Sequence, residues 1–293
     1  MSRRNAHGGH TVKCRLRMVV VALVVFSSFS TSLLAQTAAS DELNLGVQAY
    51  KRSRFEEAIQ HFEKCLAVDP QNGKARLYIA TAYAQQYIPG VDTPDNKHYA
   101  EQALEQYQRV LDGNPDVDEP LHSARADSAK GIAYLYLQMK KFDDSKKYYL
   151  MVSDLDPQDP EPYYSIGVID WTLTYVPRQE MRAKLGMKPE PEDSLSARDN
   201  GACVEIKEKN SANVQEGIDN LNKALKLRPH YDDAMAYMNL MFRERADIQC
   251  DDPAARDADL RTADEWVDKT MATKKAKAKE AEPSTEPAAT NPQ

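Results

Sequence analysis

The chain has 293 residues, 42% of them apolar and 28% charged, with a formal charge of −7. That composition excludes a membrane bundle and a wholly disordered chain. An acidic body also repels phosphate backbones, which argues against nucleic acid as a partner.

The first forty residues stand apart. Arg3, Arg4, Lys13, Arg15 and Arg17 form a positive leader, Met18 to Phe26 is an unbroken apolar run, and Ser27 to Ala35 shades into small residues before Gln36. This is the layout of a secretory signal peptide over 1–36, with cleavage expected after Ala35 or Ala39. Left uncut, Met18 to Leu34 could tether the chain to a bilayer. Cys14 precedes the apolar run, which argues against a lipid anchor on its thiol. Five positive charges and no acidic residue leave with the leader, moving the formal charge from −7 to −12. The expected location is outside the cytoplasm, in a bacterial-type periplasm or the medium.

A repeated grammar follows. Ala58/Phe62/Cys65/Pro70, Ala103/Tyr107/Val110/Pro115, Ser145/Tyr149/Val152/Pro157 and Gly217/Leu221/Ala224/Pro229 share one spacing. Steps of four and three put the first three members of each set on one helix face, and the proline stops the helix soon after. A second pattern precedes each set: Leu45-Gly46 with Ala49, Ile79-Ala80 with Tyr83, Ile132-Ala133 with Tyr136, and Ile166-Gly167 with Asp170-Trp171. Gly46 precedes Ala58 by twelve positions, as Ala133 precedes Ser145, which leaves room for two short helices and a tight turn. From proline to the next small position is ten, at Pro70 to Ala80, Pro157 to Gly167 and Pro229 to Asn239. The unit is 34 residues, the period of the tetratricopeptide repeat.

The chain resembles that family from about Ser40 to Met271. It departs from the family pattern in lacking the usual first-helix tryptophan and in placing Ser145, Gly217 and Asn239 at small-residue positions. The resemblance implies an all-α fold in one domain: an α-solenoid of about four tandem helix hairpins plus a terminal capping hairpin. The hairpins are expected at about 40–72, 73–117, 118–159, 160–231 and 232–271.

Three spacings exceed the repeat, and insertions into such arrays are expected in turns. The first, about 86–98, contains the proline- and glycine-punctuated Tyr87 to Pro94. A shorter excess falls between Pro115 and Ala133. The longest covers about 174–211, where Pro177 to Gly186 reads as a separate short helix and Pro189 to Asp193 as an extended exposed strip.

Catalytic motifs are missing. The sequence holds no Gly-x-Ser-x-Gly elbow, Walker loop or dinucleotide-binding turn, and His61, His98, His122 and His230 have no partners at metal-ligand spacing. The pairs Glu56/Glu57 and Asp143/Asp144 fit solvated helix starts. The expectation is a protein that is not an enzyme, with no metal and no cofactor. Cys65 falls on the close-packed face of its helix, where a thiol acts as a small apolar group. Cys203 and Cys250 both read as lying in segments between helices, and in an exported protein two loop cysteines are disulfide candidates. Closing that loop would stabilise the fold by roughly 4 kcal/mol on the chain-entropy view.

At the far end, Asp232-Asp233 opens one helix and Asp252-Pro253 caps another. Leu260, Ala263, Val267 and Met271 form one stripe of this last helix, with Arg256, Asp259, Arg261, Asp264 and Asp268 around the rest. That pattern predicts a terminal cap with one apolar and one wet face. Residues 273–293 lack aromatic residues and apolar periodicity, and are expected to be disordered.

Members of the resembled family hold peptides or helices of other proteins in a groove lined by the first helix of each pair. Projection of the helix period puts Val47, Tyr50, Thr81, Tyr134, Leu137, Tyr164, Val168, Trp171, Leu240 and Arg243 on that side. Tyr134, Tyr164 and Trp171 are the expected anchors, because aromatic side chains carry much of the affinity at protein contacts. The implied function is an exported, non-enzymatic scaffold or adaptor for a protein or peptide partner. The alternative is a small-molecule or glycan site beside the long insertion, with Trp171 and Tyr175 as a stacking platform.

Overall fold

The computed structural model describes residues 36–113, 119–189 and 193–281. The expected signal peptide, apart from Gln36, and the last twelve residues of the expected tail lie outside the described residues. Every regular element among the described residues is a helix. In chain order they are α1 (36–51), α2 (Phe55–Val68), α3 (Gly73–Ala84), α4 (Pro94–Leu111), α5 (Glu119–Gln138), α6 (Phe142–Leu155), α7 (Pro160–Lys184), α8 (Leu195–Arg198), α9 (Asn200–Leu227), α10 (Asp232–Asp247) and α11 (Pro253–Ala281).

Small residues let paired helices approach closely. The hydrogen of Gly46 faces the ring of Phe62, that of Gly131 the ring of Tyr107, and that of Gly167 the Leu221 side chain; a methyl group at any of the three would come within 3.0 Å of those atoms. Phe62, Leu221, Val152 and Ala103 are fully buried, and burying a side chain the size of the first three contributes about 1.5–3 kcal/mol each. The second helices α2, α6 and α9 end alike, with the N–H of Asp69, Asp156 and Arg228 donating to the carbonyls of Cys65, Val152 and Ala224 just before a proline. Two hairpin turns also match. Ser53 (φ 57°) and Lys140 (φ 58°) adopt the left-handed conformation, and the next residues, Arg54 and Lys141, donate back to Ala49 and Tyr136.

Where the repeat period predicts one domain, the helices separate into two compact units divided between Gly131 and Ile132 within α5. The first unit centres on Ala49, Ala58, Phe62, Cys65, Ala75 and Ile79, with Cys65 a buried free thiol. Between α3 and α4, Asn96 is buried and ties down the inserted loop: it accepts from Ile88 N–H and donates to the carbonyls of Ile88 and Val91. Residues 94–98 of the segment expected as a turn insertion are helix, because Thr93 caps α4 and Pro94 opens it. The second unit builds its larger core from α7, α9, α10 and α11.

The long insertion corrects the sequence reading most. It lengthens both helices of its hairpin, α7 to 25 residues and α9 to 28, and leaves only 185–199 as the turn, with α8 inside it. Pro177 does not begin a separate helix but lies within α7. It removes one backbone donor, yet the buried packing of Arg178, Met181 and Arg182 carries the helix on. The end at Gly186 (φ 67°) was legible: Gly186 N–H donates to Ala183 and Met187 N–H to Arg182, a Schellman closure.

Two further corrections concern the far end. The tail is helical as far as Ala281, because Thr273 hydrogen-bonds to Met235 and Lys277 pairs with Asp232 on α10. The inward face of α11 is also not the predicted apolar stripe. Asp259, Ala263 and Thr270 are buried and Trp266 packs on the core, whereas Val267 and Met271 are exposed. Asp259 turns inward because it accepts from Arg245 at 2.5 Å and from Gln249 at 2.9 Å.

Candidate interaction site

Two stripes of side chains run side by side on α7 and α10. Along α7, steps of three and four align Glu161, Tyr164, Val168, Trp171 and Tyr175; along α10 they align Asp233, Tyr237, Leu240 and Glu244. The rings interlock across the pair of helices. Tyr164 lies 4.8 Å from Tyr231 and 5.7 Å from Tyr237 between centroids, Tyr237 lies 5.5 Å from Trp171, and Trp171 lies 4.8 Å from Tyr175. Tyr164, Trp171 and Tyr237 pack on the second unit's core while staying partly exposed. They form a continuous ladder that offers ring faces and edges, surfaces suited to apolar and cationic groups. Burial raises Tyr164 well above the usual tyrosine range, with Tyr237, Tyr231, Asp233 and Glu161 adding to it. Burial likewise raises Tyr231 to about 12, helped by Glu161 and opposed by Arg228, which lies over its ring at 4.4 Å.

Of the expected groove residues, Tyr164, Val168 and Trp171 share the α7 stripe. The others are apart from it. Tyr50 packs edge-on against Phe55 and Tyr78 inside the first unit, and Thr81 there accepts the Tyr107 hydroxyl at 3.3 Å. Leu137 packs against the Ala133, Tyr149, Ile166 and Ile169 cluster, and Tyr134 stands 55% exposed. Arg243 is occupied by Asn239 and by Asp264 of α11, at 2.9 and 2.8 Å. Tyr237 was missed, although the α10 period of Asp233, Tyr237 and Leu240 contains it.

The ladder ends at a buried charge cluster that sequence reading did not find. The Arg178 guanidinium sits 5.7 Å over the Tyr175 ring and 3.0 Å from Asp247. Its Nε faces Glu244 at 2.9 Å but out of hydrogen-bond alignment. Arg182, fully buried, donates to Asp247 at 3.1 Å and to the carbonyls of Lys188 and Asp193; residues 190–192 of the expected exposed strip lie outside the described residues. Burial pushes Glu244 up to about 7 against the pull of Arg178. Beside this cluster Cys203 and Cys250 form a disulfide, with Cα atoms 5.6 Å apart. Cys203 lies in the first turn of α9 rather than in a connecting segment, because Asp199 caps that helix earlier than the spacing suggested. Ser196 also bonds the Cys250 carbonyl, and Asn200 donates to Asp251. The insertion is thus clamped to the α10–α11 turn.

On the other side of α7, Lys146 of α6 donates to Asp170 at 2.7 Å and to Glu216 of α9 at 2.9 Å. Burial pushes Asp170 up to about 7 even so. These charges pin helices together. Among the described residues no group of three or more His, Cys, Asp or Glu could hold a metal ion, and no helix is long and apolar enough to cross a membrane.

Comparison with known proteins agrees with this architecture. Two tetratricopeptide-repeat family models match, at residues 42–72 and 131–159. No curated protein sequence matches the chain. Among solved structures, the crystal structure of MamA is similar over 80% of this chain and 97% of its own, at 13% identity and a TM-score of 0.50. A MamA RS-1 double mutant is similar over 83% of this chain and 97% of its own, at 14% identity and a TM-score of 0.51. YrrB, described as a tetratricopeptide protein with an unusual peptide-binding site, covers 81% of this chain and 90% of its own, at 11% identity and a TM-score of 0.44. With two repeats matched among tandem helix hairpins whose small and large residues recur in register, the described residues have the fold of a tetratricopeptide-repeat solenoid.

Proposed function

We propose that the protein is an exported, non-enzymatic adaptor that binds a protein or peptide partner on the α7–α10 face. The repeat scaffold is of the type that serves protein–protein interaction. The observation that carries the reading is the ladder Tyr164–Tyr237–Trp171–Tyr175, whose rings are ordered by packing yet partly exposed. Rings held in place in this way lose little conformational freedom on binding, which is the property of anchor residues. The reading of export rests on the basic and apolar leader over 1–36.

Two experiments test it. Affinity capture from the native cell envelope is expected to recover a partner with the wild-type chain and to lose it with Trp171→Ala plus Tyr164→Ala, at unchanged helical content. Retention of the partner by that variant would move the site elsewhere. For export, the mature chain is expected to begin at Gln36 or Ser40 on terminal sequencing; an intact Met1 on the native protein would refute cleavage.

The alternative of a small-molecule or glycan site draws on the Trp171–Tyr175 pair, 4.8 Å apart and tilted by 33°. It predicts a ligand-induced rise in melting temperature with no protein partner.

A further inference from the structure

The two stripes carry the same chemistry in the same order. On α7 the sequence of groups is carboxylate, tyrosine, valine, tryptophan; on α10 it is carboxylate, tyrosine, leucine, then the buried Glu244. Both carboxylates, Glu161 and Asp233, stand in the first turns of their helices and are exposed. No ion pair engages either one among the described residues, unlike the neighbouring Asp232, which pairs with Lys277. Glu161 lies one turn before Tyr164 and Asp233 one turn before Tyr237, and those two rings are 5.7 Å apart, so both carboxylates stand at one end of the ladder. At the other end the charges of Arg178 and Arg182 are answered by Glu244 and Asp247 and are buried. Among the described residues the face therefore carries two carboxylates without an ion pair at its tyrosine end. The fold already seats one cation on this cluster, Arg228 over Tyr231.

We infer that the partner presents a lysine or arginine side chain to Glu161, Asp233 and the rings of Tyr164 and Tyr237, followed by an apolar side chain set on Val168, Leu240 and Trp171. This deepens the reading given under Proposed function and rests on it. The spacing fits an extended peptide. Glu161 and Val168 are seven helical residues apart, about 10 Å, which about three residues of extended chain span. A cation between two carboxylates and aromatic faces gains from both, and an acidic segment would meet the same groups with repulsion.

The test is fluorescence anisotropy with a capped, labelled octapeptide, Ser-Lys-Ser-Lys-Ser-Leu-Ser-Leu, against counterparts with glutamine or glutamate in place of lysine. The full mature chain is used throughout. The lysine peptide is expected to bind about tenfold tighter than the glutamine peptide, with the glutamate peptide weakest. Glu161→Gln plus Asp233→Asn should abolish that preference without lowering the melting temperature, and Trp171→Ala plus Tyr164→Ala should weaken all peptides. A lysine preference that survives Glu161→Gln plus Asp233→Asn overturns the inference. If the glutamine or glutamate peptide binds as well as the lysine peptide, and Trp171→Ala plus Tyr164→Ala removes it, the charge assignment fails while the docking face stands. Lysine binding indifferent to Trp171→Ala plus Tyr164→Ala, or no binding by any of the three, removes the face as well.

Discussion

The α1–α2 hairpin and the α7–α9 hairpin begin from the same motif and are held in different ways. In the first, Gly46 admits the Phe62 ring and Ala49, Ala58 and Cys65 close around it, with a free thiol in the core. In the second, Gly167 admits Leu221 in the same register, but the helices continue past the repeat length. Beyond that length Met181, Leu195, Ala202 and Ile206 continue the apolar core, and polar fastenings to the next helix are added: Arg178 and Arg182 of α7 meet Glu244 and Asp247 of α10, and a disulfide ties α9 to the α10–α11 turn. A repeat closes by fitting small residues to large ones; its extension packs apolar side chains as well and is fastened in addition, by charge and covalent bond, to the helix that follows.

The largest test of that contrast is Asp247→Ala. It strips the carboxylate shared by two buried guanidinium groups and is expected to destabilise the second unit by about 3–5 kcal/mol in urea unfolding. A loss below about 1 kcal/mol would mean that water reaches the cluster. Next, Cys203→Ala plus Cys250→Ala should cost about 2–4 kcal/mol on the loop-entropy account. Amide exchange should quicken over α8 and the start of α9 and stay unchanged over α2; equal effects on both hairpins would erase the distinction. Smaller again, Gly46→Ala drives a methyl group into the Phe62 ring and should cost about 1–3 kcal/mol, sensed by exchange in α2 but not in α9.

The last expected effect is a slope, seen only as pH is varied. Asp170 and Glu244 both stand at about 7, raised by burial, so the folded chain holds protons between about pH 4 and 7 that the unfolded chain has released. The stability they contribute is complete below about pH 4 and is lost as pH rises through 7. Asp170→Asn and Glu244→Gln should each flatten that fall, whereas no such change should follow Gly46→Ala. An unaltered pH profile in both carboxylate variants would show that Lys146 and Arg178 keep them ionised.

Legibility followed the range of the signal. The helix ends at Pro70, Pro157 and Pro229, the Asp252 cap of α11 at 2.8 Å from Ala255 N–H, and the small first-helix positions Gly46 and Gly167 were readable because each is marked by local residue type at a fixed spacing; the side chains that Gly46 and Gly167 admit were not. The run through Pro177 was misread, since a proline breaks a helix locally but packing of Arg178 and Arg182 across to α10 restores it. The outward turn of Val267 and Met271 was misread for a similar reason: hydropathy assigns the inner face by apolarity, whereas Arg245 and Gln249 draw Asp259 inward. Of the site, Tyr164 and Trp171 were visible from the first-helix period, and the interlocking of their rings with Tyr237 was not.

By itself the sequence determined the helical hairpin, its 34-residue period and the positions where small side chains meet large ones, because these follow from covalent geometry and local packing on one or two helices. Tertiary structure alone decided which faces the last helix turns inward, how the long insertion is clamped, and which aromatic side chains join into one surface. Those depend on charges and rings brought together from different helices, some more than sixty residues apart, such as Arg178 with Asp247, and no spacing within a single helix encodes that meeting.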